Sequence, residues 1–507
     1  MKKVYRLAAI LPLLFVSSCS VRGNEAKVTS LSSPVIGTAI GRVKFVNDTD
    51  DFVTVINPFN TSIYGNVYYY NGDYTDEQLA SMQEDYSYYL SYFHALTDRH
   101  YSYTVDDVPI NNIKTLNNSY GTGEKVVLDS FLYDTLKKAY QFSLDSDGAF
   151  DIFIGELNDI YEDKLKRVGN ISNTTALDYA LTEASGLVFS SDFDATAIQN
   201  AVSYTPATKE EMEGLLTFDD TDKSVIFNSF VKNEVKAPKV SISLSGLAKG
   251  EATEWICNYM KKIYPNISLL INSGSSSIKT VGERPDKAAW NIIFTNPVFR
   301  EKKTETSNLN SSEVALKRNG AFNLSTSGFY EHYFYVYDKD TGAFKRRNHI
   351  INPKTGYSQS FFDAVSVVND DTGLGDMYTT ALMNTSSVEE ATALFDSLNE
   401  KYKETSSDMV LCYRTGDDET AHYQYSISDI SETTSGYPKV KLQDDTIYTG
   451  DYTDITSSDI KEAVSSLNTN IKEVYQASKG IKDSFYLIND TKIAPYQDKM
   501  VSVIKSL

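Results

Sequence analysis

Residues 376–383 of the chain read Asp376-Met377-Tyr378-Thr379-Thr380-Ala381-Leu382-Met383, a pattern typical of a helix. Asp376 and Thr380 are four residues apart, so a helix places both side chains on one face. A hard divalent cation such as Mg²⁺ prefers oxygen ligands of this kind and shares its other positions with phosphate and water. The pattern therefore indicates two candidate side-chain ligands of a metal ion. An exposed acid beside a Thr that bonds back to its own helix explains the same pattern.

The composition excludes some classes of function. The chain has 507 residues, is 41% hydrophobic and carries a net charge of −20. Its length allows two to four domains, or one large domain with insertions. An acidic chain lacks the basic surface that nucleic-acid binding needs, so we expect no nucleic-acid partner. The three cysteines form no C-x-x-C motif and the five histidines no H-x-x-x-H motif, which argues against a zinc or metallohydrolase site.

The N-terminus predicts a membrane anchor. Residues 2–6 include three basic side chains, the apolar run Leu7–Val16 follows, and Val-Ser-Ser-Cys ends at Cys19. This is typical of a bacterial lipoprotein signal peptide over 1–19, with Cys19 as the lipidated residue and 20–33 as a tether. We therefore expect a lipid-anchored protein on the extracytoplasmic face of the cell membrane. Ordinary secretory cleavage beside an unrelated Cys is the alternative.

Hydrophobic periodicity and turn residues predict the secondary structure. The predicted helices cover 76–97, 128–143, 249–264 and 377–398; the predicted strands cover 53–71, 225–247, 269–272, 290–295 and 332–337. We predict a surface insertion at about 170–204, where the pattern is mixed. The polar region 431–507 is predicted to be appended to the main domain, with helical runs at 458–477 and 495–507.

A glycine-containing turn joins a predicted strand to a predicted helix. It reads Ser243-Leu244-Ser245-Gly246-Leu247-Ala248-Lys249-Gly250. Such a junction presents backbone N–H groups at a helix N-terminus, which suits a phosphate group. Gly246 and Gly250 allow close approach of the backbone, and Lys249 adds a positive charge. The turn predicts a phosphate site, with a generic turn as the alternative; it is not a P-loop.

Five further motifs accompany these two segments. They are Ile36-Gly37-Thr38, Ser146-Asp147-Gly148-Ala149-Phe150-Asp151, Asn272-Ser273-Gly274, Ser325-Thr326-Ser327-Gly328-Phe329-Tyr330 and His349-Ile350-Ile351-Asn352-Pro353-Lys354-Thr355-Gly356. In this order and spacing the motifs resemble those of the ApbE family of FAD:protein FMN transferases. The resemblance covers residues 34–430.

The resemblance implies both a fold and a function. The implied fold class is α+β, an ApbE-like, T-fold-related architecture of antiparallel sheets with helices, with FAD in a cleft between subdomains. The implied enzyme is a Mg²⁺-dependent transferase. It moves FMN from FAD to a Thr or Ser hydroxyl of an acceptor protein and releases AMP. We see no acceptor-type segment in the chain itself.

The resemblance also implies site residues. Asp376, Thr380 and the Ala248 carbonyl would bind Mg²⁺. The residues that would bind FAD are Gly37, Thr38, Ala248, Lys249, Gly250, Asn272, Gly274, Ser325, Thr326, Ser327, Gly328 and His349. His349 is the candidate for proton transfer, because imidazole titrates near neutral pH. A His that hydrogen-bonds a turn is the alternative, and residues 325–327 are open to a simple strand-to-helix turn.

Some positions depart from the family pattern. Ser243 stands where the family has Asp, and Asn272-Ser273-Gly274-Ser275-Ser276 stands for Asn-x-Gly-Gly-Asp. Ile36 replaces a Met, Asn352 an Asp, and His332 an Arg. These departures keep two alternatives open. One is a non-catalytic flavin-binding lipoprotein on a divergent ApbE scaffold, and the other is an FAD pyrophosphatase that yields FMN and AMP.

Overall fold

The computed structural model describes most of the chain between residues 26 and 487. The described ranges are 26–37, 41–46, 55–168, 188–190, 195–293, 314–318, 320–328, 333–338, 343–359, 361–405, 407–414, 421–426, 474–478 and 481–487. Cys19, Thr38 and His332 lie outside them, as do the predicted tether and the predicted helix at 495–507.

The helices of these ranges include the segments predicted from the sequence. They are α1 Asp76–Thr97, α2 Ile113–Asn118, α3 Ser130–Asp145, α4 Gly155–Val168, α5 Ala195–Tyr204, α6 Lys209–Met212, α7 Ala248–Ile263, α8 Thr372–Met383 and α9 Val388–Lys401. A capping box at Thr75 and Gln78 starts α1 where the sequence predicts. Helix α7 ends before Pro265, which lacks the N–H that a continuing helix needs.

The strands are mostly short. They are β1 Lys27–Leu31, β2 Ile36–Gly37, β3 Val43–Val46, β4 Val55–Ile56, β5 Ile63–Tyr69, β6 Ser102–Val105, β7 Val108–Pro109, β8 Lys125–Val127, β9 Val188–Ser190, β10 Leu216–Asp219, β11 Ser224–Phe227, β12 Val231–Lys232, β13 Val235–Lys236, β14 Ser268–Ser273, β15 Ser277–Val281, β16 Trp290–Ile293, β17 Val314–Arg318, β18 Phe322–Gly328, β19 Tyr333–Asp338, β20 Ala343–Asn348, β21 Phe362–Asn369, β22 Asp408–Arg414, β23 Ala421–Ser426, β24 Val474–Ser478 and β25 Ile481–Leu487.

An eight-stranded sheet organises the fold. Its strand order is β1-β5-β14-β15-β18-β21-β22-β23, and every neighbouring pair is antiparallel. Helix α8 packs on β18 and β21 and against α7. Eleven of its twelve residues are buried, because the helix is apolar on most of its circumference and lies between the sheet and other helices. The segment 376–383 is thus at the centre of the molecule. The predicted combination of antiparallel sheets with helices is confirmed.

Two secondary-structure predictions are wrong in part. The single helix predicted at 377–398 is two helices, α8 and α9, because Ser387 caps a new helix by accepting a hydrogen bond from the Glu390 N–H at 3.1 Å. Within 225–247, predicted as β structure, the strands are β11, β12 and β13, and the rest of the segment leads irregularly into α7.

The described part of the predicted C-terminal region is β structure. Residues 474–477, predicted as helix, belong to β24, so that prediction is wrong there. Strand β24 pairs with β25, which pairs in turn with β17 of the predicted transferase domain. The described residues of this region, β24 and β25, therefore share a sheet with β17.

Helix α5 gives structure to the end of the predicted insertion at 170–204. Its Ile198 and Ala201 are buried in a small cluster with Leu157, Tyr161 and Ile351. The insertion boundary itself stays a prediction, since residues 169–187 and 191–194 lie outside the described ranges. None of the helices in the described ranges is long and apolar enough to cross a membrane.

Candidate active site

The turn that enters α7 has no capping side chain at its N-cap position. The Ser243 N–H donates to the Ile152 carbonyl at 2.7 Å and the Ala248 N–H to the Leu244 carbonyl at 2.9 Å, which fixes the turn on both sides. Leu247 occupies the N-cap position, and its apolar side chain provides no cap. Of the first three N–H groups of the helix, that of Ala248 bonds the Leu244 carbonyl and that of Gly250 bonds Asp376, which leaves the Lys249 N–H for another acceptor. The positive end of the helix dipole lies at the same place.

Asp376 lies buried against this turn. The Ser277 hydroxyl donates to Asp376 Oδ1 at 2.5 Å. Burial raises the pKa of the Asp376 carboxyl to about 6, although Lys249 acts to lower it. Hydrogen bonds from the Ser277 and Ser325 hydroxyls and from the Gly250 backbone also act to lower it. The carboxylate is thus held by neighbouring groups, but its charge is not fully compensated by them. The alternative of an exposed acid is wrong, since Asp376 is only 6% exposed.

Two glycines bring the turn against α8. A Cβ on Gly250 would lie 2.6 Å from Asp376 Oδ2 and 2.7 Å from the Thr372 carbonyl oxygen. A Cβ on Gly246 would lie 3.6 Å from Thr380 Oγ1. Asp376 and Thr380 therefore face the same turn, one helical turn apart, as their spacing predicts. Ala248 is the first residue of α7, and it is buried.

The hydroxyls of residues 325–327 lie within strand β18, so the alternative of a strand-to-helix turn is wrong. Ser327 Oγ donates to Thr379 Oγ1 of α8 at 2.8 Å. Thr326 Oγ1 and Ser366 Oγ are 2.8 Å apart on the opposite face of the sheet. Gly328 ends the strand and pairs with Ala364. The hydroxyls of Ser327 and Thr326 thus have partners inside the protein, and Ser325 lies beside Asp376.

The hairpin between β14 and β15 brings Asn272 and Gly274 to the same end of the sheet. Asn272 Oδ1 accepts from the Ser275 N–H at 2.8 Å, and Asn272 Nδ2 donates to the Tyr64 hydroxyl at 3.0 Å. Gly274 has φ +63°, and a Cβ there would lie 2.5 Å from Thr61 Oγ1, so only glycine suits this position. Ser275 also has a left-handed backbone, with φ +61°. A left-handed backbone is unfavourable for a residue with a Cβ, so the backbone of Ser275 is strained where the family pattern has Gly.

The His349 segment is attached to the far end of α8. His349 follows β20 and is exposed. Asn352 Nδ2 donates to the Asn384 carbonyl at 3.1 Å, and Asn384 Nδ2 donates to the Ala149 and Ile351 carbonyls at 2.9 and 3.2 Å. Asn384 is the C-cap residue of α8. This helix therefore links three of the sequence motifs, those at 146–151, 349–356 and 376–383.

Gly37 lies in β2, which pairs with β4. The adjacent Thr38 is outside the described ranges, so its predicted role stays a prediction. The described contacts of Gly37 do not connect it with Asp376.

Sequence reasoning missed Ser277 and the charged groups behind Asp376. Ser277 is a single serine after a turn, and no local pattern marks it as a partner of residue 376. The structure also places His100, Asp159 and Glu162 close enough to hold an ion, with their ligand atoms within 4.8 Å of one another. Arg99 already binds both carboxylates, Asp159 at 2.6 Å and Glu162 at 2.7 Å. A cation there would have to compete with the guanidinium group.

Comparisons with known proteins agree on one family. The ApbE family model matches residues 93–403, which is more than half of the chain. The flavin transferase ApbE from Vibrio cholerae is a similar solved structure, with 16% sequence identity, coverage of 79% of this chain and 97% of that chain, and a TM-score of 0.50. At this identity the similarity concerns the fold.

Two further solved structures were also found. The ApbE protein from Thermotoga maritima has 20% identity, coverage of 70% of this chain and 92% of that chain, and a TM-score of 0.47. The flavinyl transferase ApbE from Pseudomonas stutzeri, in its apo form, has 16% identity, coverage of 80% and 96%, and a TM-score of 0.48. A search of curated proteins found no match.

Proposed function

The chain belongs to the ApbE family, and from this premise we propose that it is a flavin transferase that uses FAD. In the proposed reaction a Thr or Ser hydroxyl of an acceptor protein attacks the FMN phosphorus of FAD. A new phosphoester bond forms, the pyrophosphate bond breaks, and AMP leaves. The hydroxyl proton must be removed in the same reaction.

The position of Asp376 carries this proposal. Its buried carboxylate accepts a hydrogen bond from the Gly250 backbone at the N-terminus of α7, where Gly250 leaves no side chain between the two. Lys249 adds a positive charge that acts on the same carboxylate. The Lys249 N–H, the Lys249 side chain and the positive end of the helix dipole suit the negative charge of a pyrophosphate. Positioning with charge stabilisation is the main requirement of phosphoryl transfer.

The residues present fit a hard divalent cation such as Mg²⁺. The carboxylate of Asp376 is buried and incompletely compensated, as its raised pKa indicates. Thr380 Oγ1 and the Ala248 carbonyl add neutral oxygen atoms from the two segments that meet here. One carboxylate with a few neutral oxygens is typical of Mg²⁺ sites that also use substrate phosphate. When bound, the metal would neutralise charge on the pyrophosphate.

His349 is the proposed group for accepting the hydroxyl proton. It is exposed, so an acceptor protein can approach it, and its segment is tied to α8 through Asn352 and Asn384. The FAD site is proposed to be shaped also by residues at the end of the sheet where the β14–β15 hairpin lies beside β18. These residues are Asn272, Gly274 and 325–328. Their described hydrogen bonds serve mainly to position the backbone and Asp376.

We also propose that the protein is anchored outside the cytoplasmic membrane by a lipid on Cys19. The support is the sequence pattern alone: a basic start, an apolar run and Val-Ser-Ser-Cys. The acceptor protein would then lie on the same side of the membrane.

Purified protein incubated with FAD, Mg²⁺ and a Thr-containing acceptor protein tests the function. We expect AMP to appear together with flavin fluorescence covalently attached to the acceptor. Chelation of the metal should stop both. FMN and AMP formed at the same rate without an acceptor indicate an FAD pyrophosphatase instead. Retention of intact FAD without cleavage indicates a flavin-binding lipoprotein and refutes the proposed activity.

A further inference from the structure

Two charged side chains behind the candidate site hold the start of α8. Glu254 of α7 accepts hydrogen bonds from the Thr372 N–H and the Thr372 hydroxyl, both at 2.9 Å to Oε2. Lys279 of β15 pairs with the same oxygen at 3.0 Å and also donates to the Asp370 carbonyl. Lys279 is 7% exposed and Glu254 17% exposed, so both charges are largely withdrawn from water.

These contacts are close to Asp376 along two elements. Thr372 is the first residue of α8, and Asp376 follows one helical turn later. On β15, Lys279 lies two residues after Ser277, so both side chains point to the same face of the strand. Ser277 donates to the Asp376 carboxylate, and Lys279 pairs with the Glu254 carboxylate, which accepts from the Thr372 N–H. Strand β15 therefore contacts Asp376 directly through Ser277, and it reaches the start of α8 through the contacts of Lys279 with Glu254 and the Asp370 carbonyl.

A second ion pair reinforces the same end of α8. Lys138 of α3 lies 2.6 Å from Glu251 of α7 and 2.8 Å from Asp371, the N-cap residue of α8. A Cβ on Gly373 would lie 1.8 Å from Glu251 Oε1, so the Glu251 carboxylate rests on the helix backbone. Carboxylates thus occupy the N-terminus of α8. At the N-terminus of α7, Asp376 accepts from the Gly250 backbone, and the Lys249 N–H remains for a phosphate group.

We propose that Glu254 and Lys279 are positioning residues for the flavin transfer proposed above. They fix the position of α8 relative to α7 and β15, and so they determine the distance from Asp376 to the turn at Gly246–Gly250. Neither side chain needs to touch FAD or the metal. The inference rests on the proposed function, but its main test does not require turnover.

The test measures Mn²⁺ affinity of the protein–FAD complex, by the paramagnetic resonance of free Mn²⁺, beside kcat, KM for FAD and thermal unfolding. Glu254→Ala removes the acceptor of the Thr372 N–H. We expect Mn²⁺ affinity and kcat to fall about tenfold or more, as for the loss of a group that orients a metal ligand. KM for FAD should stay within about threefold, because the flavin and adenine contacts remain.

Two conservative variants separate geometry from charge. Glu254→Gln keeps an oxygen that can accept from the Thr372 N–H, so we expect it to restore most of the Mn²⁺ affinity. Glu254→Asp keeps the charge but shortens the side chain, so we expect it to fall between wild type and Glu254→Ala. Glu254→Asp also serves as the readout if the alanine variant does not fold.

Glu211 provides a matched control. Its carboxylate accepts from the Ala207 N–H at 2.8 Å and pairs with Lys232 at 2.7 Å, and it is 24% exposed. Glu211→Ala should lower thermal stability to a similar extent without changing Mn²⁺ affinity or kcat. If Glu254→Ala or Glu254→Asp binds Mn²⁺ as tightly as wild type, the positioning role is overturned. It is also overturned if Glu254→Gln loses as much Mn²⁺ affinity as Glu254→Ala. A wild type without Mn²⁺ binding also overturns it. A wild type that binds Mn²⁺ with FAD but does not cleave FAD refutes only the proposed function.

Discussion

Replacing Gly250 by Ala tests how closely the turn must approach α8. Glycine in a helix interior normally costs about 1 kcal/mol relative to Ala, so the change would ordinarily stabilise α7. Here the new Cβ would lie 2.6 Å from Asp376 Oδ2 and 2.7 Å from the Thr372 carbonyl oxygen. Ordinary van der Waals contact begins at 3.4 Å, so the two helices must separate by about 0.8 Å at this point. Overpacking of this kind costs about 1–3 kcal/mol, which offsets or exceeds the gain in helix propensity.

The same displacement acts on catalysis more strongly than on stability. A misplacement of about 1 Å in a reacting site lowers rates by about a hundredfold. We therefore expect Gly250→Ala to lower the rate of AMP release from FAD by about ten- to a hundredfold. The free energy of unfolding should fall by no more than about 2 kcal/mol.

The assays are initial rates of AMP release at saturating FAD and Mg²⁺ and denaturant unfolding of the same preparations. Gly246→Ala is the comparison for stability, because its Cβ would meet a Phe150 ring carbon at 3.2 Å and Thr380 Oγ1 at 3.6 Å, a milder crowding. A Gly250→Ala protein that is more stable than wild type and cleaves FAD at the wild-type rate would refute the close approach of the turn to Asp376.

Four other substitutions test separate features of the protein. Asp376→Ala should lower AMP release by at least about a hundredfold, the scale of losing one strong electrostatic group, whereas Thr380→Ala should be milder because water can replace a neutral ligand; equal rates in Asp376→Ala and wild type would rule out the metal assignment. Ser275→Gly should raise the free energy of unfolding by about 0.5–1 kcal/mol, because glycine adopts φ +61° without strain; denaturant unfolding measures it, and a destabilised variant contradicts the strain. Cys19→Ala should move the protein to the soluble fraction, since a lipid would supply the membrane affinity; retention on membranes after a high-salt wash contradicts lipidation.

Local patterns in the sequence predicted helix boundaries and the shared helical face of Asp376 and Thr380. The capping box at Thr75 and the proline at 265 mark helix ends, and both ends lie close to where they were predicted. The four-residue spacing of Asp376 and Thr380 correctly predicted that both side chains share one face. Such features depend on neighbouring residues, so they can be recognised in a single sequence.

Other features depend on residues far apart in the chain and could not be predicted. Lys138 and Asp371 form an ion pair across 233 positions, and neither carries a local signal for the other. The break between α8 and α9 was missed because the apolar periodicity continues through it, while the cap at Ser387 determines the outcome. Two of the hydroxyls in β18 bond other side chains, because strand pairing and helix packing decide which face each residue presents. The predicted contact of these hydroxyls with FAD stays a prediction.

Two departures from the family pattern, Ser243 and Ser276, are accommodated by local hydrogen bonds. Ser243 is buried, and its hydroxyl accepts from Asn158 Nδ2 at 2.9 Å and lies 3.1 Å from Ser245 Oγ, which are neutral partners. Ser276 Oγ donates to the Ser273 carbonyl at 2.9 Å, a bond that an ionised Asp could not make. Serine is thus compatible with both positions, and neither leaves a defect. The cost falls on charge, since Asp376 is the one carboxylate among the proposed Mg²⁺ ligands. A site with one carboxylate binds Mg²⁺ weakly by itself and relies on the phosphates of the substrate. We therefore expect metal and FAD to bind cooperatively, each raising the affinity of the other by the same factor.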